Sequence, residues 1–203
     1  MEHRSFVREL ARPSPEPGGG AAAAYVSSVG LALAEKIARL EARRVGSKAE
    51  SMGHAVRHMV LLRARFEKLI REDGVAYRNL VSAIRGEVNG EARRDAIRQA
   101  VECPRNMMRA SVEALGHIHK IGVACKPHLV PDILVACELV AAGARGAFHI
   151  GVSNLSHLQS NQGGDELKAA LREDLREALR GAAAIRRCLG EQLGKEGINE
   201  AGR

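Results

Sequence analysis

The chain has 203 residues, of which 45% are apolar and only 2% aromatic, and its formal net charge is +7. So few aromatic residues argue against an antiparallel β-sandwich or barrel and against a stacking platform for single-stranded nucleic acid. A charged fraction of 27% and a mean hydropathy of −0.18 argue against a disordered chain and against a membrane protein. The composition therefore predicts one all-α domain over residues 1–203, with no nucleic-acid partner and no membrane partner.

The basic residues are interleaved with acidic ones along the chain, as in the segment from Arg172 to Glu177. Two interpretations remain open. These residues form ordinary solvated helix faces with ion pairs four residues apart, or their excess positive charge attracts an anionic ligand.

The cysteines are spaced without a C-x-x-C motif, at Cys103, Cys125, Cys137 and Cys188. The first residues include Glu2 and Glu9 and have no apolar segment of the signal-peptide type. Both features predict a cytoplasmic protein with reduced thiols. The longest apolar stretch, residues 21–34, is shorter than the ~20 residues that span a bilayer, which predicts a buried helix.

The N-terminal elements are separated by an unusual segment. A short helix from Phe6 to Ala11, with Ser5 as its cap, is ended by the prolines of the sequence PSPEPGGG at 13–20. A long helix follows from Ala21 to Arg44. Its first half is rich in Ala, Ser and Gly, which predicts close approach of a neighbouring helix.

Apolar residues at helical spacing predict four further helices. We expect Gly74 to mark a kink and Pro104 to bend or interrupt the helix that contains it. The predicted ranges are Ser47–Ile84, Glu91–Ile121, Pro131 or Asp132 to Leu158, and Asp165–Leu193. The predicted fold is an all-α bundle of about five long helices, with a Pro/Gly loop after a short N-terminal helix.

Three glycines at the start of a helix expose several unpaired backbone N–H groups at the positive end of the helix dipole. Such a group of donors can hold a carboxylate, a phosphate or the polar edge of a heterocycle. The segment lacks the Lys and Ser/Thr of a phosphate-binding P-loop. A tight connector into the bundle remains an equally good explanation.

Several segments, in chain order, resemble the motifs of one family. PEPGGGA at 15–21 is similar to P-T-P-G-G-G-S, EDGVAY at 72–77 to D-x-x-A-F/Y, and VECP at 101–104 to a V-P step within a helix. KPHLVPD at 126–132 is similar to N-P-N-x-x-S-D, and AGARGAF at 142–148, with Asn154-Leu155 beyond it, to A-G-L-R-G-A-Y and N-L. The chain thus resembles the formiminotetrahydrofolate cyclodeaminase and methenyltetrahydrofolate cyclohydrolase family.

This resemblance implies an all-helical homodimer that binds a reduced folate in a cleft near Pro17, Gly18, Gly19 and Gly20. The tetrahydrofolate derivative is the substrate, and no tightly bound cofactor is implied. The implied reaction is loss of ammonia from 5-formiminotetrahydrofolate or hydrolysis of methenyltetrahydrofolate. Both reactions pass through a tetrahedral carbon between N5 and N10 and need a proton shuttle, a role that suits a carboxylate. Asp132 matches the aspartate of the S-D step; the alternative is that it caps the following helix.

Several polar positions of the family motifs are changed here. Glu16 stands at the Thr, Pro131 at the Ser before the aspartate, and Ile150 at the first Asn of the late motif. His128, four residues before Asp132, is a second candidate catalytic group, because a His beside an Asp can transfer protons near neutral pH. His149 and Asn154 are candidate substrate-binding residues.

We expect no metal site. His54 and His58 have the i,i+4 spacing of a metal-ligating pair, but no third ligand is evident near them. Cys103 and Cys125 are weak candidates for a nucleophile. Three functions remain open: a folate-dependent one-carbon enzyme, the same scaffold acting on a different small molecule, and a binding or partner protein without catalysis. Convergence of residues 128, 132, 149 and 154 in one cleft would argue against the last.

Overall fold

The computed structural model describes residues 3–44, 48–158 and 163–200, which form an all-α bundle. No strand occurs among these residues, and the predicted fold class is confirmed. The elements are α1 His3–Leu10, α2 Gly19–Ala42, α3 Ala49–Ile84, α4 Gly90–Ala124, a 3₁₀ turn Pro127–Leu129, α5 Val130–Leu155 and α6 Gly164–Glu200.

Helices α2 and α5 lie antiparallel and very close together, because glycines remove the side chains that would hold them apart. A Cβ on Gly30 of α2 would come within 2.8 Å of the Ala136 carbonyl oxygen of α5. On α5, a Cβ on Gly143 would overlap the Ser27 side chain and come within 2.6 Å of the Ala23 carbonyl. The small residues of α2 therefore provide close helix packing, as predicted.

Helix α1 contacts α2 through a pair of stacked aromatic rings. The ring of Phe6, which is 1% exposed, stacks on the ring of Tyr25 with centroids 4.2 Å apart. The helix begins at His3, so Ser5 lies inside its first turn and the predicted cap at Ser5 is wrong. Burial of the Phe6 ring fixes where this short helix sits, whereas its own sequence gives only a weak boundary.

Helices α3 and α4 run without a break through the two predicted disruptions. Gly74 lies inside α3, and Pro104 lies buried inside α4. Pro104 packs near Gly151 of α5, where its Cγ lies 3.5 Å from the position of a glycine Cβ. Tertiary packing along α4 thus outweighs the one backbone hydrogen bond that a proline removes.

Ion pairs between helices account for much of the interleaved charge. The buried carboxylate of Glu35 on α2 accepts hydrogen bonds from Arg39 at 2.8 Å and from Arg63 of α3 at 3.1 Å. Arg105 of α4 donates to Asp174 of α6 at 2.8 Å. Other charged residues pair four positions apart on one helix, such as Lys68 with Glu72 at 3.0 Å, as the helix-face interpretation predicts.

In the described part of the chain, two helical segments, Gly19–Ala42 and Pro127–Leu155, are long and apolar enough to cross a membrane by length and composition. Each packs against the other in the bundle, and 56% and 44% of the respective apolar windows are buried. Their position in the protein core accounts for this apolar composition.

Candidate functional site

A cleft of about 240 Å³ lies where the glycine segment meets α3, α4 and α5. We call it the glycine cleft. Its floor is the start of α2, and its walls come from the middle of α3, the first half of α4 and the end of α5. The lining residues are Pro15, Glu16, Gly18, Gly19, Gly20, Asp73, Ala76, Tyr77, Ala100, Ile150, Ser153 and Asn154.

The glycine at position 20 makes room for a carboxylate from α3. A Cβ on Gly20 would overlap the side chain of Asp73. The Asp73 carboxylate accepts a hydrogen bond from the backbone N–H of Ala21, in the first turn of α2. The donors that the sequence predicts for a ligand anion are therefore occupied in part by the chain's own Asp73, because a carboxylate is stabilised at a helix N-terminus.

The surroundings of Asp73 favour its protonated form. Burial raises the pKa of this carboxyl above its usual range. The hydrogen bond from Ala21 opposes this effect, and the negative charge of Glu16 adds to it. A carboxyl whose pKa is raised towards neutrality in a cleft is suited to give and take protons.

The C-terminal end of α5 forms the opposite wall of the cleft. Ile150 reaches towards Gly19, where a Cβ would lie 3.1 Å from the Ile150 Cδ1 atom. The Nδ2 atom of Asn154 donates to the carbonyl of Ala100 at 2.7 Å, which ties α5 to α4 beside the cleft. The predicted residues Gly18, Gly19, Gly20 and Asn154 thus come together in one place.

A second cavity of about 440 Å³ adjoins the glycine cleft and shares Glu16, Gly18 and Asp73 with it. We call it the outer pocket. It is formed by α1, the glycine segment and α3, and it includes the predicted residue Pro17. Phe6, Ile70 and Val75 give it an apolar lining, and Arg71 and Arg78 stand on its α3 side.

Asp132 and His128 lie at the other end of α5 from the glycine cleft. Asp132 is 18 residues before Ile150, which corresponds to about 27 Å along the helix axis. Its carboxylate is in the first turn of α5 and pairs with Lys36 at 3.4 Å. The N-cap residue is Leu129, so the alternative of an N-cap at Asp132 is wrong. His128 is exposed in the 3₁₀ turn.

His149 is close to the cleft in sequence but faces away from it. It follows Phe148 and precedes Ile150 on α5, yet its side chain is exposed and its ring meets the edge of Phe148 with centroids 5.9 Å apart. Residues 128, 132, 149 and 154 therefore do not converge within one protomer. The helical period explains why His149 faces away from the cleft that Ile150 lines, because neighbouring residues of a helix point about 100° apart. His128 and Asp132 are separated from the cleft by the length of α5.

Thiol and histidine chemistry receive no support from their surroundings. Burial raises the pKa of Cys103 to about 12 and that of Cys125 to about 11, which disfavours the nucleophilic thiolate. His58 stacks on His117 of α4 with ring centroids 4.3 Å apart. Within the described residues, no three His, Cys, Asp or Glu side chains form a group that could hold a metal ion.

Sequence reasoning missed Asp73 as a site residue. The signal was present in the spacing of Asp73, Ala76 and Tyr77, which matches D-x-x-A-Y and places all three within five consecutive residues of α3. What the sequence could not indicate is that Gly20, 53 positions away, opens the space that this carboxylate occupies.

The fold and the site define an all-helical bundle with an acid-containing cleft at a Pro/Gly segment. Residues 2–177 match the profile of the family described as formiminotransferase-cyclodeaminase, and the chain belongs to this family. The formimidoyltransferase-cyclodeaminases of Rattus norvegicus and Mus musculus are each 24% identical over 192 residues. The match covers 90% of this chain and 36% of each relative, so the chain spans about a third of their length.

A solved structure shares the fold. The formiminotetrahydrofolate cyclodeaminase of Thermotoga maritima superposes with a TM-score of 0.82 at 21% identity. The similarity covers 98% of this chain and 97% of that one. The helical bundle described above is therefore the fold that the two proteins share.

Proposed function

We propose that the protein is a folate-dependent one-carbon enzyme of the cyclodeaminase type, acting in the glycine cleft. The substrate is 5-formiminotetrahydrofolate, and the products are 5,10-methenyltetrahydrofolate and ammonia. Family membership supports the class of substrate. The observation that carries the proposal is Asp73, a partly buried carboxyl with a raised pKa at the start of α2, inside the cleft that the family motif forms.

Asp73 serves as the proton shuttle in this proposal. The substrate carries the cationic group N5–CH=NH₂⁺, and its N10 attacks the carbon to form the N10–C bond. The Asp73 carboxylate takes the proton that N10 loses and delivers it to the amino group on the tetrahedral carbon. The C–N bond to that group then breaks, ammonia leaves, and the cation N5–CH=N10⁺ remains. Atoms and charge balance, and the chain supplies position and one proton-transfer group.

The adjoining cavities suit a ligand with two parts. The glycine cleft takes the bicyclic head with its reacting nitrogens near Asp73. The larger apolar outer pocket takes the aromatic ring that follows N10, and Arg71 lies at its α3 side near the carboxylate end. The folate derivative is a substrate that enters and leaves, so the proposal includes no resident cofactor.

A homodimer is part of the proposal and has a candidate surface. Outward-facing apolar residues of α2 and α5, the two most apolar helices, lie side by side: Val26, Val29, Leu33 and Leu40 on α2, and Val135, Leu139 and Ala142 on α5. Val135 is 50% exposed. A second copy of the chain that packs there in the antiparallel sense brings the start of its α5 near this protomer's cleft. A catalytic role for Asp132 and His128 requires such an arrangement.

A different small molecule on the same scaffold is the second candidate. Glu16 and Ile150, which depart from the family motif, both line the cleft. An apolar Ile in place of an amide removes hydrogen-bonding capacity, and recognition of a polar ring falls steeply when a site lacks its partners. Hydrolysis of methenyltetrahydrofolate uses the same cleft and the same tetrahedral carbon, with water as the nucleophile.

The test measures ammonia release and methenyltetrahydrofolate formation from 5-formiminotetrahydrofolate by the purified protein. A cyclodeaminase is expected to release both products in equal amounts. A separate assay supplies methenyltetrahydrofolate as the substrate, and a protein that hydrolyses it but releases no ammonia from 5-formiminotetrahydrofolate is a cyclohydrolase. Titration calorimetry with tetrahydrofolate and 5-formyltetrahydrofolate measures binding separately. Absence of binding at millimolar concentration excludes folate as the ligand and leaves the second candidate.

A further inference from the structure

Glu16 is held in a fixed position at the boundary of the glycine cleft and the outer pocket. Its carboxylate accepts a hydrogen bond from Arg78 at 2.5 Å, across 62 positions of the sequence. The side chain passes directly over Gly74, where a Cβ would come within 2.5 Å of the Glu16 Oε2 atom. Gly74 therefore provides the space for Glu16, which explains a glycine inside the unbroken helix α3.

Among the described residues that line the glycine cleft, Glu16 and Asp73 are the only Asp, Glu, Lys, Arg or His side chains, and both are acidic. Arg78, the partner of Glu16, contributes to the outer pocket and not to the cleft. The start of α2, whose backbone N–H groups are a partial positive charge within the cleft, already donates the Ala21 N–H to Asp73. A cation in this cleft is consequently attracted by both carboxylates, whereas an anion is repelled by them.

We infer that Glu16 is a specificity-determining residue that makes the cleft prefer a planar N–C–N cation, an amidinium, over a neutral amide of the same shape. An amidinium spreads one positive charge over two nitrogens whose N–H groups point in a common plane, so two separate carboxylates can each accept from it. Asp73 is the proton-transfer group, and Glu16 supplies a second acceptor carboxylate whose position Arg78 fixes.

This inference rests on the proposed function and extends it. The formimino group of the proposed substrate and the N5–CH=N10⁺ group of the product are both planar N–C–N cations. The formimino group carries N–H donors on its terminal nitrogen, whereas the product group carries none and is attracted by its charge alone. A formyl group is a neutral amide. The cleft therefore favours the substrate and product of the deaminating reaction over formylated folates. Glu16, which stands where the family motif has Thr, is responsible for this preference.

The experiment uses benzamidine and benzamide, which have the same shape and differ in charge. Their dissociation constants are measured by NMR on the intact protein, and the backbone signals of Gly18, Gly19 and Gly20 report whether the ligand is in the cleft. We expect the wild-type protein to bind benzamidine about tenfold more tightly, since hydrogen bonds to charged groups are stronger than neutral ones. In Glu16→Gln, we expect the preference for benzamidine over benzamide to fall from about tenfold to between about onefold and threefold, by the same reasoning.

The matched control is Glu113→Gln. Glu113, like Glu16, is paired with an Arg, since Arg65 donates to it at 3.1 Å, but it is exposed and lies on α4 away from the cleft. It should leave the ratio unchanged. Circular dichroism and the Tm of both variants establish that they fold.

Equal affinities of the wild-type protein for the two compounds, no binding of benzamidine at millimolar concentration, or a ratio unaffected by Glu16→Gln would each overturn the inference. The proposed function fails separately. A protein that selects benzamidine through Glu16 yet neither binds nor converts folates retains the inference and loses the proposed reaction. If the protein converts 5-formiminotetrahydrofolate but Glu16→Gln leaves the benzamidine-to-benzamide ratio unchanged, the proposed reaction is retained and the inference about Glu16 is lost.

Discussion

The two ends of α5 contrast sharply, although both match motifs of the same family. At its C-terminal end, Ile150 and Asn154 face a cleft that contains a partly buried carboxyl with a raised pKa. At its N-terminal end, the Asp132 carboxylate is 43% exposed and pairs with the 61% exposed side chain of Lys36. The first end has the enclosure that changes the chemistry of an acid, and the second has an ordinary surface ion pair.

This difference shows that a motif aspartate alone does not predict an active site, because the motif does not give the burial of the carboxyl group. The same residue type has different chemistry at the two positions, because burial and neighbouring charge determine a carboxyl pKa. Asp132 gains a comparable environment only if a second protomer covers it. Variants at the two ends therefore separate a site contained in one protomer from a site completed by two.

The largest expected effect is on turnover by Asp73→Asn. This change keeps the shape and the ability to accept from the Ala21 N–H but removes the proton-transfer group. We expect kcat to fall by about 10²- to 10⁴-fold, the usual contribution of a general acid or base. Steady-state release of ammonia from 5-formiminotetrahydrofolate measures it.

Asp132→Asn is the matched variant at the other end of α5. If the site is contained in one protomer, its kcat stays within about twofold of the wild-type value, as expected for an exposed pair. If the partner subunit supplies Asp132, both variants are inactive alone, and mixed dimers of the two recover activity in one of their two sites. An active Asp73→Asn protein contradicts the proposed mechanism.

Gly20→Ala is expected to damage the cleft end without altering any charge. The new Cβ would overlap the Asp73 carboxylate, which must leave its hydrogen bond to Ala21. We expect a loss of about 1–3 kcal/mol in the free energy of unfolding, as for other overpacked sites, together with a clear fall in kcat/KM. Chemical denaturation and the ammonia assay measure the two effects.

Gly53→Ala is the control at the other end of α3, where no atom lies within 4 Å of the added Cβ. Alanine is a better helix former, so this variant should gain up to about 1 kcal/mol in the free energy of unfolding. Equal losses in Gly20→Ala and Gly53→Ala would show that the Asp73 contact has no special importance.

Lowering the pH should change the free energy of unfolding in opposite directions through two groups, His117 on α4 and Asp73 on α3. Burial, then the charges of His58 and Lys120, lower the pKa of His117, with Glu113 acting against them. A lowered folded-state pKa contributes stability above the unfolded value of 6.5 that is lost as the pH falls through the folded value. The raised pKa of Asp73 has the reverse effect, since its contribution is present below the unfolded value of 3.8 and is lost as the pH rises through the folded value.

Urea denaturation across this pH range, on the wild-type protein and on His117→Gln and Asp73→Asn, measures both contributions. His117→Gln should reduce the loss of stability below pH 6.5. Asp73→Asn should gain stability relative to the wild-type protein as the pH rises above the folded-state pKa of Asp73. Parallel curves for all three proteins would contradict both expectations.

The smallest expected effect is that of Lys36→Gln, which removes the partner of Asp132. An exposed ion pair at 3.4 Å should contribute less than about 1 kcal/mol to the free energy of unfolding. Turnover should be unchanged if Asp132 acts only at the surface. A large fall in kcat with an unchanged Tm would instead indicate that Lys36 positions a catalytic Asp132.

Most of the fold could be predicted from the sequence. Helical periodicity gave all the long helices to within a few residues at most boundaries, and the glycine motif gave the position of the cleft. Of the two outcomes expected at Pro104, a bend or an interruption, the interruption does not occur, because packing within the bundle holds α4 together through the proline. Helix α3 is likewise continuous through Gly74.

The residues of the site were predicted less completely. Gly18, Gly19, Gly20 and Asn154 line the cleft because the motif and the end of α5 meet there. His149 faces outward, since a shift of one residue on a helix changes the side that a residue faces. Asp73 was missed because its chemistry depends on burial, which periodicity alone does not give.

By itself, the sequence determined the all-α class, the glycine segment and the family, because composition, helical period and motif order are properties of the chain alone. Only the tertiary structure decided which acid has an altered pKa and which glycines are needed for space. Gly20 with Asp73, and Gly74 with Glu16, are pairs separated by more than 50 positions. The need for glycine at these positions becomes evident only when α3 packs against the glycine segment and the start of α2. That packing brings distant residues into contact and places the Asp73 carboxylate at the start of α2.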